Sequence, residues 1–129
     1  PRDLQDPALP IHVKEFIVLI VSSRLWGQEW TGRAVTLFCD NDAVVDTVNH
    51  KKPKDPALLS LLREFFFIAV THNFIPVVRK IGTKENHLAD HISRRFDSVS
   101  ATKIFHEAGL YDMKRVVVPD KFFQLNDSW

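Results

Sequence analysis

From Ile11 onward the apolar residues Val13, Phe16, Ile17, Ile20, Val21 and Leu25 recur at three- and four-residue spacings, the period of a helix with one buried face. The pattern predicts a helix that ends near Gly27 and carries Glu15 close to its start. Ala34-Val35-Thr36-Leu37-Phe38-Cys39 breaks that period. A short, nearly continuous apolar run rich in β-formers predicts a strand buried on both faces, as in parallel sheets. Asp40 stands at its carboxyl end. Ala43 to Val48 reads as a short helix that Asn41 or Asp42 can cap, and Lys51-Lys52-Pro53-Lys54 breaks it. Asp55-Pro56 then supplies an N-cap and a first-turn proline for a long helix through Leu58, Leu59, Leu62, Phe65, Phe66 and Ala69, stopping near His72-Asn73.

Phe74 to Ile81 predicts a second strand, whose Pro76 must lie at an edge, a bulge or the strand's start because it has no N–H to donate. Gly82 to Glu85 make a turn, and Asn86 can cap a helix whose first turn delivers Asp90, with Leu88, Ala89 and Ile92 toward the core. A further helix is expected from about Ala101 to Ala108, capped by Ser100 and stopped by Gly109. Val116-Val117-Val118-Pro119 reads as a strand or as an extended strap over the core, and Phe122, Phe123 and Trp129 mark the tail as one that packs onto something. Residues 1–10, with prolines and aspartates but no period, form an extended lead-in. The expected organisation is that lead-in, a main unit over 11–96, and a C-terminal helix and tail over 97–129, without internal repeats.

At 129 residues and 45% hydrophobic, the chain is one domain's worth, with enough apolar residues for a moderate core. Seventeen Lys and Arg against sixteen Asp and Glu leave a charge of +1, so any surface for a polyanion must be local. The lone Cys39 lies inside an apolar run and reads as a small buried hydrophobe. It permits no disulfide within one chain, which suits a reducing compartment. An apolar run such as Phe16 to Val21 is too short to span a bilayer, and the first residues lack a signal-peptide pattern. The expectation is an intracellular protein of the cytoplasm or nucleus, without a membrane partner.

The acids add chemistry to this frame. Loops at the carboxyl ends of parallel strands form the functional crevice of open α/β sheets, which raises Asp40 above a background acid. If Glu15 and Asp90 converge there, the three carboxylates would hold a hard divalent cation such as Mg²⁺. In two-metal hydrolysis one ion activates water and the other stabilises the leaving oxygen of a phosphodiester. Each acid also has a plain alternative: Asp40 as a cap or turn residue, Glu15 and Asp90 as solvated helix positions, and Asp42 mainly as a cap.

The order strand, Asp40-Asn41-Asp42-Ala43-Val44-Val45, long helix, strand, and then Gly82-Thr83-Lys84-Glu85-Asn86-His87-Leu88-Ala89-Asp90-His91-Ile92-Ser93-Arg94 resembles the ribonuclease H domain of retrotransposon reverse transcriptases, particularly the tyrosine-recombinase (DIRS-like) class. His12-Val13-Lys14-Glu15-Phe16 is similar to that family's first helix and its glutamate, so the resemblance covers about Ile11 to Phe96. It implies an α/β, ribonuclease H-like fold, N-terminally incomplete, with parallel strands flanked by helices. On the same resemblance Glu15, Asp40 and Asp90 match three of four metal-binding acids. They would bind Mg²⁺ or Mn²⁺, with two ions expected for a complete site.

The fourth acid belongs to the first of three antiparallel strands that precede the glutamate helix in that family. Asp3 and Asp6, in a proline-rich setting, are poor substitutes. The resemblance therefore implies that the strand before Asp40 has an open edge, filled by the remaining polypeptide, by another chain or by the Val116 segment. Little or no activity is expected without the missing strand.

Many ribonucleases H also carry a mobile histidine before the last acid, whereas the turn here reads Arg79-Lys80-Ile81-Gly82-Thr83-Lys84-Glu85. His87 and His91 flank Asp90 without the usual zinc ligand set, and His50 and His72 suit helix ends. The implied partner is an RNA/DNA hybrid, read through minor-groove shape and 2′-hydroxyls. Asn41 matches a family position near the substrate backbone, and Lys51, Lys52, Lys54, Arg94 and Arg95 are candidates for phosphate contacts, with solvated loop charge as their plain alternative. A second functional class stays open: a domesticated, non-catalytic ribonuclease H-like module for binding or assembly, whose tail aromatics make the partner contact.

Overall fold

The computed structural model describes residues 7–53, 55–82, 84–87, 89, 103, 106, 107, 109 and 116–124. Five main elements are α1 (Ile11–Trp26), β1 (Ala34–Cys39), α2 (Asp42–His50), α3 (Pro56–His72) and β2 (Ile75–Lys80), with a 3₁₀ turn over Asp120–Phe123. By compactness the chain divides into one unit of Pro1–Lys80 with Val118–Trp129 and another of Ile81–Val117.

The helices start and stop where local chemistry satisfies their end groups. Asn41 Oδ1 accepts from the N–H of Ala43 and Val44 at 3.0 and 3.3 Å, so α2 begins at Asp42, one residue before the expected Ala43, and runs on to His50. Asp55 Oδ1 accepts from Leu58 N at 2.9 Å, and Pro56 opens α3 without wasting a donor. Lys51 and Asn73 close α2 and α3 in the left-handed conformation, both at φ 54°. Gly27 follows α1 where a Cβ would stand 2.8 Å from the His72 ring, a close approach that keeps the end of α1 against the end of α3.

β1 and β2 form a two-stranded parallel sheet, paired from Ala34 with Ile75 to Cys39 with Lys80. Ile75 N donates to Arg33 O at 2.9 Å, so the odd-numbered residues of β2 turn their backbone groups toward β1. Pro76 therefore points its nitrogen at the outer edge of β2, where no ladder donor is lost. Asn49 Nδ2 donates to Val78 O at 2.8 Å along the same edge.

Burial on both faces of β1 is not what the structure shows. Val35, Leu37 and Cys39 turn toward the core with Val78, while Ala34, Thr36, Phe38 and Ile75 are exposed. The composition of the run hid this alternation, because Ala, Thr and Phe also occupy open faces. The core joins α1, α2 and α3 to the covered face of the sheet, and Phe16 meets Phe65 edge to face at 5.9 Å.

The C-terminal segment takes the strap form. Val116 to Pro119 has no strand pairing, so it does not supply β1 with a neighbour. Val118 and Phe123 pack against the core, and Arg24 Nη1 donates to the carbonyls of Phe122 and Gln124 at 2.6 and 2.5 Å. The other guanidinium nitrogen, Nη2, meets Glu64 Oε1 at 2.5 Å between α1 and α3. Trp129 lies outside the described residues.

In the second unit Lys84 to Asn86 form a turn, Asn86 N donates to Gly82 O at 3.0 Å, and His87 and Ala89 are helical. Lys103, His106 and Glu107 are helical too, and Gly109, at φ 78°, bonds back to His106 O. Ser100, Leu88 and Ile92 lie outside the described residues. Among the described residues no helix is long and apolar enough to cross a membrane.

Candidate metal centre

Glu15 and Asp40 meet. Glu15 lies in the second turn of α1, Cys39 ends β1 and Asp40 follows it, and one donor atom from each lies within 4.8 Å of the others. Packing α1 on the covered face of the sheet brings a helical glutamate to the carboxyl end of β1. Asp40 is exposed, Cys39 is buried and Glu15 is half-buried.

The electrostatics are those of a partly compensated acidic site. Glu15 Oε2 is buried with no hydrogen-bond partner. Burial, and then the Asp40 charge, push the Glu15 carboxyl above its ordinary range; a side-chain hydrogen bond with Asn41 and the charges of Lys80 and His12 oppose this. Burial likewise pushes the Cys39 thiol up. Lys80 Nζ donates to Asp40 O at 2.5 Å and stands 3.0 Å from Asp42 Oδ1, placing one cation at the rim. One turn before Glu15, His12 Nε2 lies 3.1 Å from Asp55 Oδ2, which ties the start of α1 to the cap of α3. The Asp55 carboxyl is held below its ordinary range, chiefly by the Leu58 N–H.

A buried carboxylate oxygen without a donor is costly, and a proton or a cation relieves it. The donor chemistry of Glu15 and Asp40 fits a hard divalent ion, which takes carboxylate oxygens and keeps waters. The described residues offer a ligand set for one such ion.

The other expected site residues fare differently. Asp90, Lys54, Arg94, Arg95 and His91 lie outside the described residues. Asp42 is the first residue of α2 and pairs with Lys80, while Asn41 does the capping. Asn41 is thus committed to α2 and to Glu15. Lys51 places Nζ 5.6 Å from the centre of the Phe66 ring, a cation–π position, and Lys52 is exposed. His50 ends α2 at 3.8 Å from Asp46 Oδ1, and His72 ends α3. His87 Nδ1 lies 3.0 Å from Lys84 O, a local contact.

Two residues beside the acids were not read as part of a site. Cys39, buried as the sequence suggests, precedes Asp40 directly, whereas Lys80 reaches the acids through a pairing with Cys39 that only the strand register reveals. Comparison with models of known families, with curated proteins and with solved structures gives no match to this chain.

Proposed function

We propose that the chain is a ribonuclease H-like domain of a retroelement reverse transcriptase that hydrolyses RNA in RNA/DNA hybrids with Mg²⁺ or Mn²⁺. The observation that supports it best is the meeting of Glu15 with Asp40 around a buried, partnerless carboxylate oxygen. The helix–strand–helix–helix–strand order, with both strands parallel, is of the kind the resemblance implies, and the Gly82-to-Arg94 string is part of what carries that resemblance. In this reading Glu15, Asp40 and Asp90 hold the metal, and a fourth acid comes from a strand paired to β1.

When bound, the metal would supply an activated water and charge stabilisation for the leaving oxygen. The chain's own residues set the rest of the site. Asn41 fixes the start of α2, and its side chain favours the ionised form of Glu15. Lys80 orients the Asp40 turn through the carbonyl and partly offsets the acidic charge through Asp42. Asn41, Lys51, Lys52, Lys54 and Arg94 are the proposed nucleic-acid contacts; of the lysines described, Lys51 and Lys52 are both exposed in the link between α2 and α3.

The competing reading, a non-catalytic module of this fold, draws on the exposed Phe38 and Ile75 side of the sheet, an apolar surface of the kind a partner covers. The deciding experiment assays cleavage of a labelled RNA/DNA hybrid with Mg²⁺ and with Mn²⁺. The chain is tested as it stands and with a ribonuclease H's upstream strands joined in front, beside Asp40→Asn. Metal-dependent cleavage that Asp40→Asn abolishes supports the nuclease. A folded, completed protein without hybrid cleavage refutes it and leaves the binding module.

A further inference from the structure

We propose that Cys39 is a third protein ligand of the Glu15–Asp40 site, making it a mixed thiolate–carboxylate centre that takes Zn²⁺ or Co²⁺ in preference to Mg²⁺. The inference rests on the reading above only in that Glu15 and Asp40 hold a cation. Two independent observations support it. The Cys39 sulfur lies with a carboxylate oxygen of Glu15 and one of Asp40 in a group whose mutual distances are all within 4.8 Å, so small side-chain rotations bring all three to the roughly 2.0–2.3 Å that one ion requires. Glu15 Oε2, a buried oxygen of the same carboxylate, has no hydrogen-bond partner. A cation at the site would satisfy this oxygen.

The consequence follows from donor softness. Carboxylate oxygens suit Mg²⁺ and Mn²⁺, whereas a thiolate selects zinc and other borderline or soft ions. On binding, the S–H proton of Cys39 leaves to water as the sulfur–metal bond forms, without any change of oxidation state. Two carboxylates and one thiolate give three protein ligands, and the exposed side of Asp40 leaves room for a water in the fourth position that zinc favours. Lys80, already bonded at the Asp40 carbonyl, remains outside the ligand set. Zinc at this centre would compete with the hard ion that hybrid cleavage requires.

The experiment titrates the metal-free chain with Co²⁺ and then displaces it with Zn²⁺, following the absorption spectrum. The expected result is a near-ultraviolet thiolate-to-cobalt charge-transfer band that Zn²⁺ removes. The band should be missing in Cys39→Ser and in Cys39→Ala, with Zn²⁺ affinity lowered at least ~10-fold. Asp40→Asn, a change at an exposed position, should weaken the band without unfolding the chain. Bound Co²⁺ with no charge-transfer band in the unaltered chain overturns the proposal, whether or not the Cys39 variants fold. Zn²⁺ affinity unchanged in a folded Cys39→Ser protein overturns it too. Parallel Mg²⁺ titration separates the two readings: Mg²⁺ binding that needs Asp40 but not Cys39, with no cobalt band, removes the thiolate and leaves the nuclease site. A cobalt band in a completed protein that cuts no hybrid supports the mixed site and removes the nuclease.

Discussion

Arg24 is the residue whose loss should damage the fold most for a single polar change. Its Nη2 meets Glu64 Oε1 at 2.5 Å, and Nη1 donates to the carbonyls of Phe122 and Gln124. The side chains of Arg24 and Glu64 are 16% and 8% exposed, so the pair lies in the low-dielectric regime rather than on the surface. Arg24→Ala takes the guanidinium out of its buried pair with Glu64 and away from the two strap carbonyls, which costs about 3–5 kcal/mol. A domain of this size has a stability of roughly 5–15 kcal/mol in total, so this is a large share of it. The melting temperature should fall by roughly 9–25 °C, at about 3–5 °C per kcal/mol for a chain of this length. Arg24→Met combined with Glu64→Leu should recover most of the loss, because an apolar pair of similar volume needs no compensation. Thermal and urea unfolding followed by circular dichroism measure both variants. Limited proteolysis at Lys121 should speed up in Arg24→Ala, since the strap loses its two carbonyl contacts. An Arg24→Ala cost below about 1 kcal/mol, the range of a solvated surface pair, would refute the reasoning. So would a double variant as unstable as the single one.

The remaining predictions concern the acids and the caps. Glu15 has a folded-state pKa above its ordinary 4.5, so its ionised form opposes folding once the pH has risen through that value; below it, both states are protonated and the penalty vanishes. Glu15→Gln should therefore raise the melting temperature of the metal-free protein at pH 7 and leave it unchanged in acid, and a lower melting temperature at pH 7 would count against this. Asn41→Ala should destabilise the chain by about 1 kcal/mol in denaturant titration, by leaving the Ala43 and Val44 N–H groups without their acceptor. It should also weaken metal binding in calorimetry, because Glu15 loses a hydrogen bond to its charged form. Asp55 has the opposite sign to Glu15: its depressed pKa contributes stability that is fully present above its ordinary 3.8 and is lost as the pH falls through the folded value. The difference in stability between the unaltered chain and Asp55→Ala should accordingly shrink on acidification.

The elements were legible because their signals are local. Asn41 and Asp55 cap within three residues of themselves, and the apolar spacing of Val13 to Leu25 needs only the helical period. Even Pro76 was readable as an edge or end residue, since the lack of an N–H is a property of proline alone. What stayed hidden depends on which elements meet. The open face of β1 could not be read from Ala34 to Cys39, because a run of β-formers does not say how many layers cover it. Arg24 and Glu64, which clamp α1 to α3, are forty positions apart, and nothing beside either residue marks it as buried. Lys80 could be read as the last charged residue of the second strand, and only the register set it opposite Cys39. Glu15 and Asp40 were paired through family resemblance, and their approach in space is a separate, physical observation.

The two edges of the sheet differ in a way that bears on the proposed function. On the outer side of β2, Pro76 offers no donor and the Val78 carbonyl is taken by Asn49, so further pairing is obstructed. On the outer side of β1 the backbone groups of Ala34, Thr36 and Phe38 have no partner among the described residues. A two-stranded sheet is marginal by itself, so the added stability of a third strand is available on the β1 side alone. A strand there would run about 4.8 Å from β1, which sets one of its end residues a single strand spacing from Asp40. In the proposed function a single strand would do both things: satisfy the open edge of β1 and bring the fourth acid to the end of it. Pairing and metal affinity should rise together when such a strand is supplied, and a strand that binds β1 without strengthening metal binding would separate the fold from the site.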